Sequence, residues 1–110
     1  MANKKSEWHV EWMPCALADV FDIGQHVRDQ ASLGTAETLV SSLHAVSATL
    51  AAHPRLWRVR DEIRLKDVRF APAHPYFLCY RIVDAEIQIL RVIHQKRDIT
   101  LLLTQIEGTL

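Results

Sequence analysis

The sequence predicts an α+β domain in which an N-terminal strand and an antiparallel helical hairpin pack on one face of a small, mainly antiparallel sheet. Three observations lead there: a two-residue alternation near the N-terminus, two consecutive stretches of helical periodicity joined by a short turn, and three successive strand-like runs in the second half. Residues 1–7, MANKKSE, are polar and are expected to be a flexible tail, which leaves 8–110 as a single domain.

The elements follow in order. In WHVEWM, Trp8, Val10 and Trp12 alternate with His9, Glu11 and Met13, the period of a half-buried strand, and Pro14 stops it. From Cys15 to about Gln30, Leu17, Val20, Phe21, Gly24 and Val27 recur at spacings of three and four, with Asp19, Asp22, Gln25, His26 and Asp29 on the other side. The turn SLGT offers Gly34 for a helix exit and Thr35 as the next N-cap. A second helix then carries Ala36, Leu39, Leu43, Val46 and Leu50 in one stripe and ends at His53-Pro54, because proline disfavours helix in the residue before it. A charged connector follows, with a short strand expected around Trp57 to Val59. Strands are expected at 67–71, 76–83 and 86–94, separated by PAHP and by a tight turn at Asp84-Ala85. ITLLLTQI, at 99–106, reads as a closing helix or an edge strand, and Asp98 as N-cap favours a short helix. With the hairpin on one face, the opposite sheet face is expected to be open.

Composition narrows the function classes. Hydrophobic residues make up 49% and charged residues 24%, ordinary globular usage that argues against disorder. Thirteen basic residues balance thirteen acidic ones, so no global positive field draws the chain to nucleic acid, and such a role would need a local patch. Cys15 and Cys79 lack CxxC spacing and are expected to be reduced thiols in a cytoplasmic protein. No apolar run approaches the ~18 residues of a membrane span, so no membrane partner is expected. There is no GxxxxGK[ST] or GxGxxG. Among His9, His26, His44, His53, His74 and His94, no two fall at a ligand spacing with a cysteine or a third ligand. Neither a cofactor nor a metal is therefore expected.

Four segments taken together resemble the ParE/RelE superfamily of type II toxins: EWMPCALADVFDIGQHV, LHAVSATLAAHPRLWRV, VRFAPAHPYFLCYRI and IQILRVIHQKRDI. Their order and spacing span residues 8 to 99. The resemblance implies the β-α-α-β-β-β arrangement, growth inhibition relieved by a cognate antitoxin, and a plasmid-stabilisation type of system. The final strand, LRVIHQKRD, looks like the ParE arm, whose members inhibit DNA gyrase without being nucleases. The RelE arm, which cuts mRNA on the ribosome, is the alternative. A third is a non-toxic interaction module of the same fold. The antitoxin implied is ParD-like or another small helical or ribbon-helix-helix protein.

Candidate residues follow from the strand alternation. If the apolar neighbours of Arg69, Arg81 and Arg91 face the helices, the three guanidiniums emerge together on the open side, a patch extended by Lys96 and Arg97 and suited to binding a target. The same arginines also suit solvation or pairing with Asp84 or Glu86. For a nuclease, Arg69, Arg81 and Arg91 would hold phosphate and His94 would transfer the proton, since imidazole titrates near neutrality. Strict alternation also permits His94 to be a packed core-edge residue. Tyr76 and Tyr80 could stack a base, though central-strand tyrosines commonly belong to the core. Leu17, Phe21 and Val27 on the first helix, or the solvent edge of the sheet, are the expected antitoxin-receiving surfaces.

Overall fold

The computed structural model describes residues 8–61 and 67–97. The expectations for the tail at 1–7 and for the segment at 99–106 fall outside these residues. The elements are β1 (His9–Trp12), α1 (Pro14–Gln30), α2 (Leu33–Ala52), β2 (Val68–Ala73), β3 (Tyr76–Val83) and β4 (Glu86–His94). They form a four-stranded sheet in the order β1-β4-β3-β2. β2, β3 and β4 pair antiparallel through short turns, and β1 joins β4 in parallel after the long excursion through both helices. The predicted α+β arrangement is the one observed.

Local chemistry explains where the elements begin and end. The Met13 N–H donates to Ile89 O at 3.0 Å, continuing the β1 ladder, and Pro14 then opens α1 at a position that needs no donor. The second helix starts at Leu33, inside the segment expected to be a turn. Ser32, not Thr35, is its N-cap, with Ser32 Oγ accepting from the Thr35 N–H at 3.1 Å. Gly34 lies inside the first turn of α2 with no positive φ. At the other end, the His53 N–H donates to Thr49 O at 2.9 Å, one residue before Pro54, as expected. Only an isolated bridge, Val59 to Arg69, represents the strand expected near Trp57. Asp84 takes φ 56° in the β3-β4 turn, a left-handed conformation that aspartate tolerates.

The main core lies between helices and sheet. Leu43 and Leu50 of α2, with Leu39 and Val46 beside them, pack onto Ala71, Ala73, Tyr76, Leu78, Tyr80, Ile87, Ile89 and Val92. Trp8, Val10 and Trp12 seal one side, which accounts for the β1 alternation. The expected α1 stripe is rotated. Ala16, Val20 and Ile23, at i, i+4 and i+7, face the core, while Leu17 and Phe21 stand in solvent at 54% and 65% exposure. The small Ala16 side chain, fully buried, takes a core position that a longer leucine does not occupy.

The opposite sheet face is not open. Val68, Phe70, Cys79, Leu90 and Ile93 form a second buried cluster there, joined by Met13 and Phe77. The Arg60 guanidinium lies 4.9 Å from the Phe70 ring centroid and 5.9 Å from that of Phe77. A bulge lies behind this arrangement. Cys79 pairs with Arg91 and Tyr80 with Ile89, so Leu90 has no partner of its own and the alternation in β4 slips by one residue. Ile89 and Val92 thus face the helices, and Leu90 and Ile93 face away.

Candidate functional site

The three predicted arginines do not converge. Arg69 lies in register with Tyr80 on the helix-side face, because Val68 and Phe70 are the residues turned away, and its Nη1 donates to Trp57 O. Tyr80 secures the same connector by donating its hydroxyl proton to Pro54 O at 2.9 Å. Arg81 does emerge on the far face, where its Nε donates to Gln88 Oε1 at 3.1 Å. Arg91 turns to α1. Its Nε and Nη2 donate to the two Asp19 carboxylate oxygens at 2.6 and 2.9 Å, and the Val92 N–H donates to the same carboxylate at 2.9 Å. The bulge at Leu90 is what carries Arg91 out of the strict alternation.

Asp19 and Arg91 form the floor of a cleft between α1 and the end of β4. It is lined by Asp22, Ile23, His26, Tyr76, Val92, Ile93, His94 and Arg97. β1 pairs with β4 only as far as Ile89, so the following stretch of β4 has a backbone edge that α1 covers. The Asp19 carboxylate satisfies one amide of that edge and neutralises Arg91, whose pKa its hydrogen bonds raise against the opposing effect of burial. His94 sits edge-on to Tyr76 with ring centroids 5.1 Å apart, and its Nδ1 accepts from the Lys96 N–H at 3.1 Å. It is held within the cleft, on the Tyr76 side. Burial raises the Tyr76 pKa, so its hydroxyl stays protonated. Of the expected target-binding group, Arg91 and Arg97 line this cleft and Lys96 is exposed beside it, while Arg69 and Arg81 lie elsewhere.

A second feature lies on the outer side of the helical hairpin. Val20, Phe21, Gly24, Leu33, Ala36 and Val40 line a shallow groove between α1 and α2, edged by Gln25, Arg28, Glu37 and Ser41. Leu33 is 58% exposed and, with Phe21 and Leu17, leaves three large apolar side chains of the hairpin in solvent. Phe21 and Leu33 line the groove together, and Leu17 lies one turn before Phe21 on α1. Phe21 and Leu17 are among the residues expected to receive an antitoxin, whereas Val27 is half-buried. Leu33 escaped sequence reasoning because it was placed in a turn; its position directly after an N-cap serine was the available signal.

Comparison with known proteins agrees with this architecture. A sequence profile of the family described as "ParE toxin of type II toxin-antitoxin system, parDE" matches residues 10–99. "Toxin ParE1" of Mycobacterium tuberculosis, from strains CDC 1551 / Oshkosh and ATCC 25618 / H37Rv, is 32% identical over 87 residues, covering 78% of this chain and 88% of the relative. A solved chain described as "Chromosomal ParDE TA system from P. aeruginosa" superposes with a TM-score of 0.70 at 22% identity, covering 81% of this chain and 97% of its own length. With the profile spanning most of the sequence and two helices on a sheet of the matching topology, this chain belongs to the ParE toxin family of type II toxin-antitoxin systems.

Proposed function

We propose that the chain inhibits DNA gyrase by stoichiometric binding and is neutralised by a cognate antitoxin that docks on the α1-α2 groove. The observation that carries the antitoxin half is the exposed apolar strip of Leu17, Phe21 and Leu33 on a hairpin whose other face is packed into the core. An amphipathic helix laid along this groove would cover Phe21 and Leu33 and meet Arg28 and Glu37 at its rim. The solved chain of similar fold is described as part of a ParDE system, which supports an antitoxin as the occupant.

The gyrase half rests on family membership and on the absence of the expected nuclease arrangement: His94 does not sit among Arg69 and Arg81, and Arg91 is already neutralised by Asp19. The proposed target surface is the end of β4, where the exposed Arg97 lines the cleft and Lys96 is exposed beside it. A second reading, ribosome-dependent mRNA cleavage, is favoured by one feature, the meeting of His26, His94, Arg91 and Arg97 in that cleft.

Expression without antitoxin tests the reading. Arrest of growth that Lys96→Glu with Arg97→Glu relieves, and that His94→Ala leaves intact, is the expected result. Arrest abolished by His94→Ala and untouched by the double charge reversal would transfer the function to the nuclease reading.

A further inference from the structure

The far face of the sheet is divided. One end carries the second apolar cluster, and the other carries a polar row contributed by three strands. Val10 and Trp12 pack toward the helices, so His9 and Glu11 project to the far side, where Glu86 is the register partner of His9 and Gln88 that of Glu11. His9 Nε2 lies 3.2 Å from Glu11 Oε1 and 3.7 Å from Glu86 Oε2.

We propose that His9, Glu11 and Glu86 bind one divalent transition-metal ion of the zinc type. One ligand atom from each residue lies within 4.8 Å of the other two. In a tetrahedral site with zinc–ligand bonds of about 2.0–2.1 Å, neighbouring ligand atoms stand roughly 3.3 Å apart. The two separations from His9 Nε2 lie close to that distance, and the third, between the carboxylates, is at most 4.8 Å, so the carboxylates draw together by up to ~1.5 Å to admit an ion. The backbone is fixed by the parallel pairing of β1 with β4, and the exposure of His9 and Glu11 beside the half-buried Glu86 leaves room for water to complete the shell.

Outer support is present on one side. Gln88 Nε2 donates to Glu86 Oε1 at 3.4 Å, and Arg81 Nε in turn donates to Gln88 Oε1 at 3.1 Å. Such partners orient a ligating carboxylate and commonly contribute tenfold or more to affinity. One imidazole with two carboxylates suits zinc or a neighbouring transition ion, whereas magnesium and calcium take all-oxygen sets. The spacing rules applied to the sequence miss this trio because the third ligand comes from a strand joined to β1 only through tertiary pairing.

The rival for the same geometry is a simple ion pair, with protonated His9 between Glu11 and Glu86. The two differ in their response to pH. A zinc ion and a proton compete for the same imidazole nitrogen, so acid opposes metal binding and favours the ion pair. The charged and polar groups facing His9 are Glu11 and Glu86, with Gln88 and Arg81 behind them.

Calorimetric titration of the purified full-length chain with zinc chloride, at pH 7.5 and pH 5.5, tests the site. Saturable one-to-one binding is expected at pH 7.5, weakened at least fivefold at pH 5.5, by His9→Ala and by Glu86→Gln, and unchanged by His53→Ala. Magnesium chloride in its place should give no saturation. No saturable zinc binding up to millimolar concentration, or a loss below fivefold in either His9→Ala or Glu86→Gln with circular dichroism unchanged, overturns the proposal.

Discussion

Asp19 grips Arg91 through two hydrogen bonds, of 2.6 and 2.9 Å, while one of the same oxygens accepts from the Val92 N–H. One carboxylate thus ties α1 to the edge of β4 where β1 no longer covers it. Both side chains are mostly buried, at 15% exposure for Asp19 and 21% for Arg91, so the pair escapes most of the screening that weakens surface ion pairs. Removing Asp19 leaves a mostly buried guanidinium and an unpaired Val92 amide. Asp19→Ala is expected to cost about 2–3 kcal/mol, read as a lower urea midpoint at unchanged slope. Asp19→Asn, which keeps an acceptor, should lose less.

The helix boundary makes a sharper local prediction. Because Ser32 Oγ accepts from the Thr35 N–H, Ser32→Ala should cost about 1 kcal/mol and Ser32→Gly only a few tenths. Thr35→Ala, which leaves that bond in place and removes only the contact between the two hydroxyls, should cost clearly less than Ser32→Ala. The reverse order in thermal denaturation would restore Thr35 as the cap.

Alkaline behaviour is set by groups buried in neutral form. Burial pushes the Cys79 thiol from 9.0 up to about 12, with Arg91 and Arg60 pulling weakly the other way, and it raises Tyr76 and Tyr80 as well. For acids whose folded pKa is raised, the contribution to stability is complete below the unfolded value and is lost as pH rises toward the folded one. Stability should therefore fall above about pH 9, and Cys79→Val should flatten the first part of that decline. A thiol reagent at pH 8 should reach the half-buried Cys15 in the native protein and Cys79 only after unfolding.

The hairpin groove predicts a separation of stability from partner binding. Phe21 stands 65% exposed, so Phe21→Asp should leave the unfolding free energy within about 0.5 kcal/mol of wild type. Antitoxin affinity, measured calorimetrically, should drop at least tenfold, since an apolar anchor in a groove commonly carries about 2 kcal/mol or more. Unchanged affinity would place the antitoxin elsewhere.

Element order was legible because period is a strong signal. The alternation of Trp8, Val10 and Trp12, and the α2 stripe from Leu39 to Leu50, both map onto the core as read, while Ala36 is buried under the hairpin groove instead. The α1 face was misread because apolar residues on that helix cover a wide arc, and nothing local distinguishes Leu17 in solvent from Ala16 in the core. The far sheet face was misjudged for a related reason. In QILRVI the apolar positions 89, 90, 92 and 93 do not alternate, which is the trace of the bulge at Leu90 and of a strand buried on both sides. That single slipped residue also moved Arg91 away from its expected neighbours and toward Asp19, a partner 72 positions distant that no spacing rule reveals.

Supercoiling by purified gyrase, titrated with the purified chain, tests the central claim most directly. Inhibition that saturates near one chain per gyrase subunit, persists in His94→Ala and is relieved by added antitoxin is the predicted result. Supercoiling unaffected at tenfold excess, alongside ribosome-bound mRNA cut by the wild type and spared by His94→Ala, would contradict it.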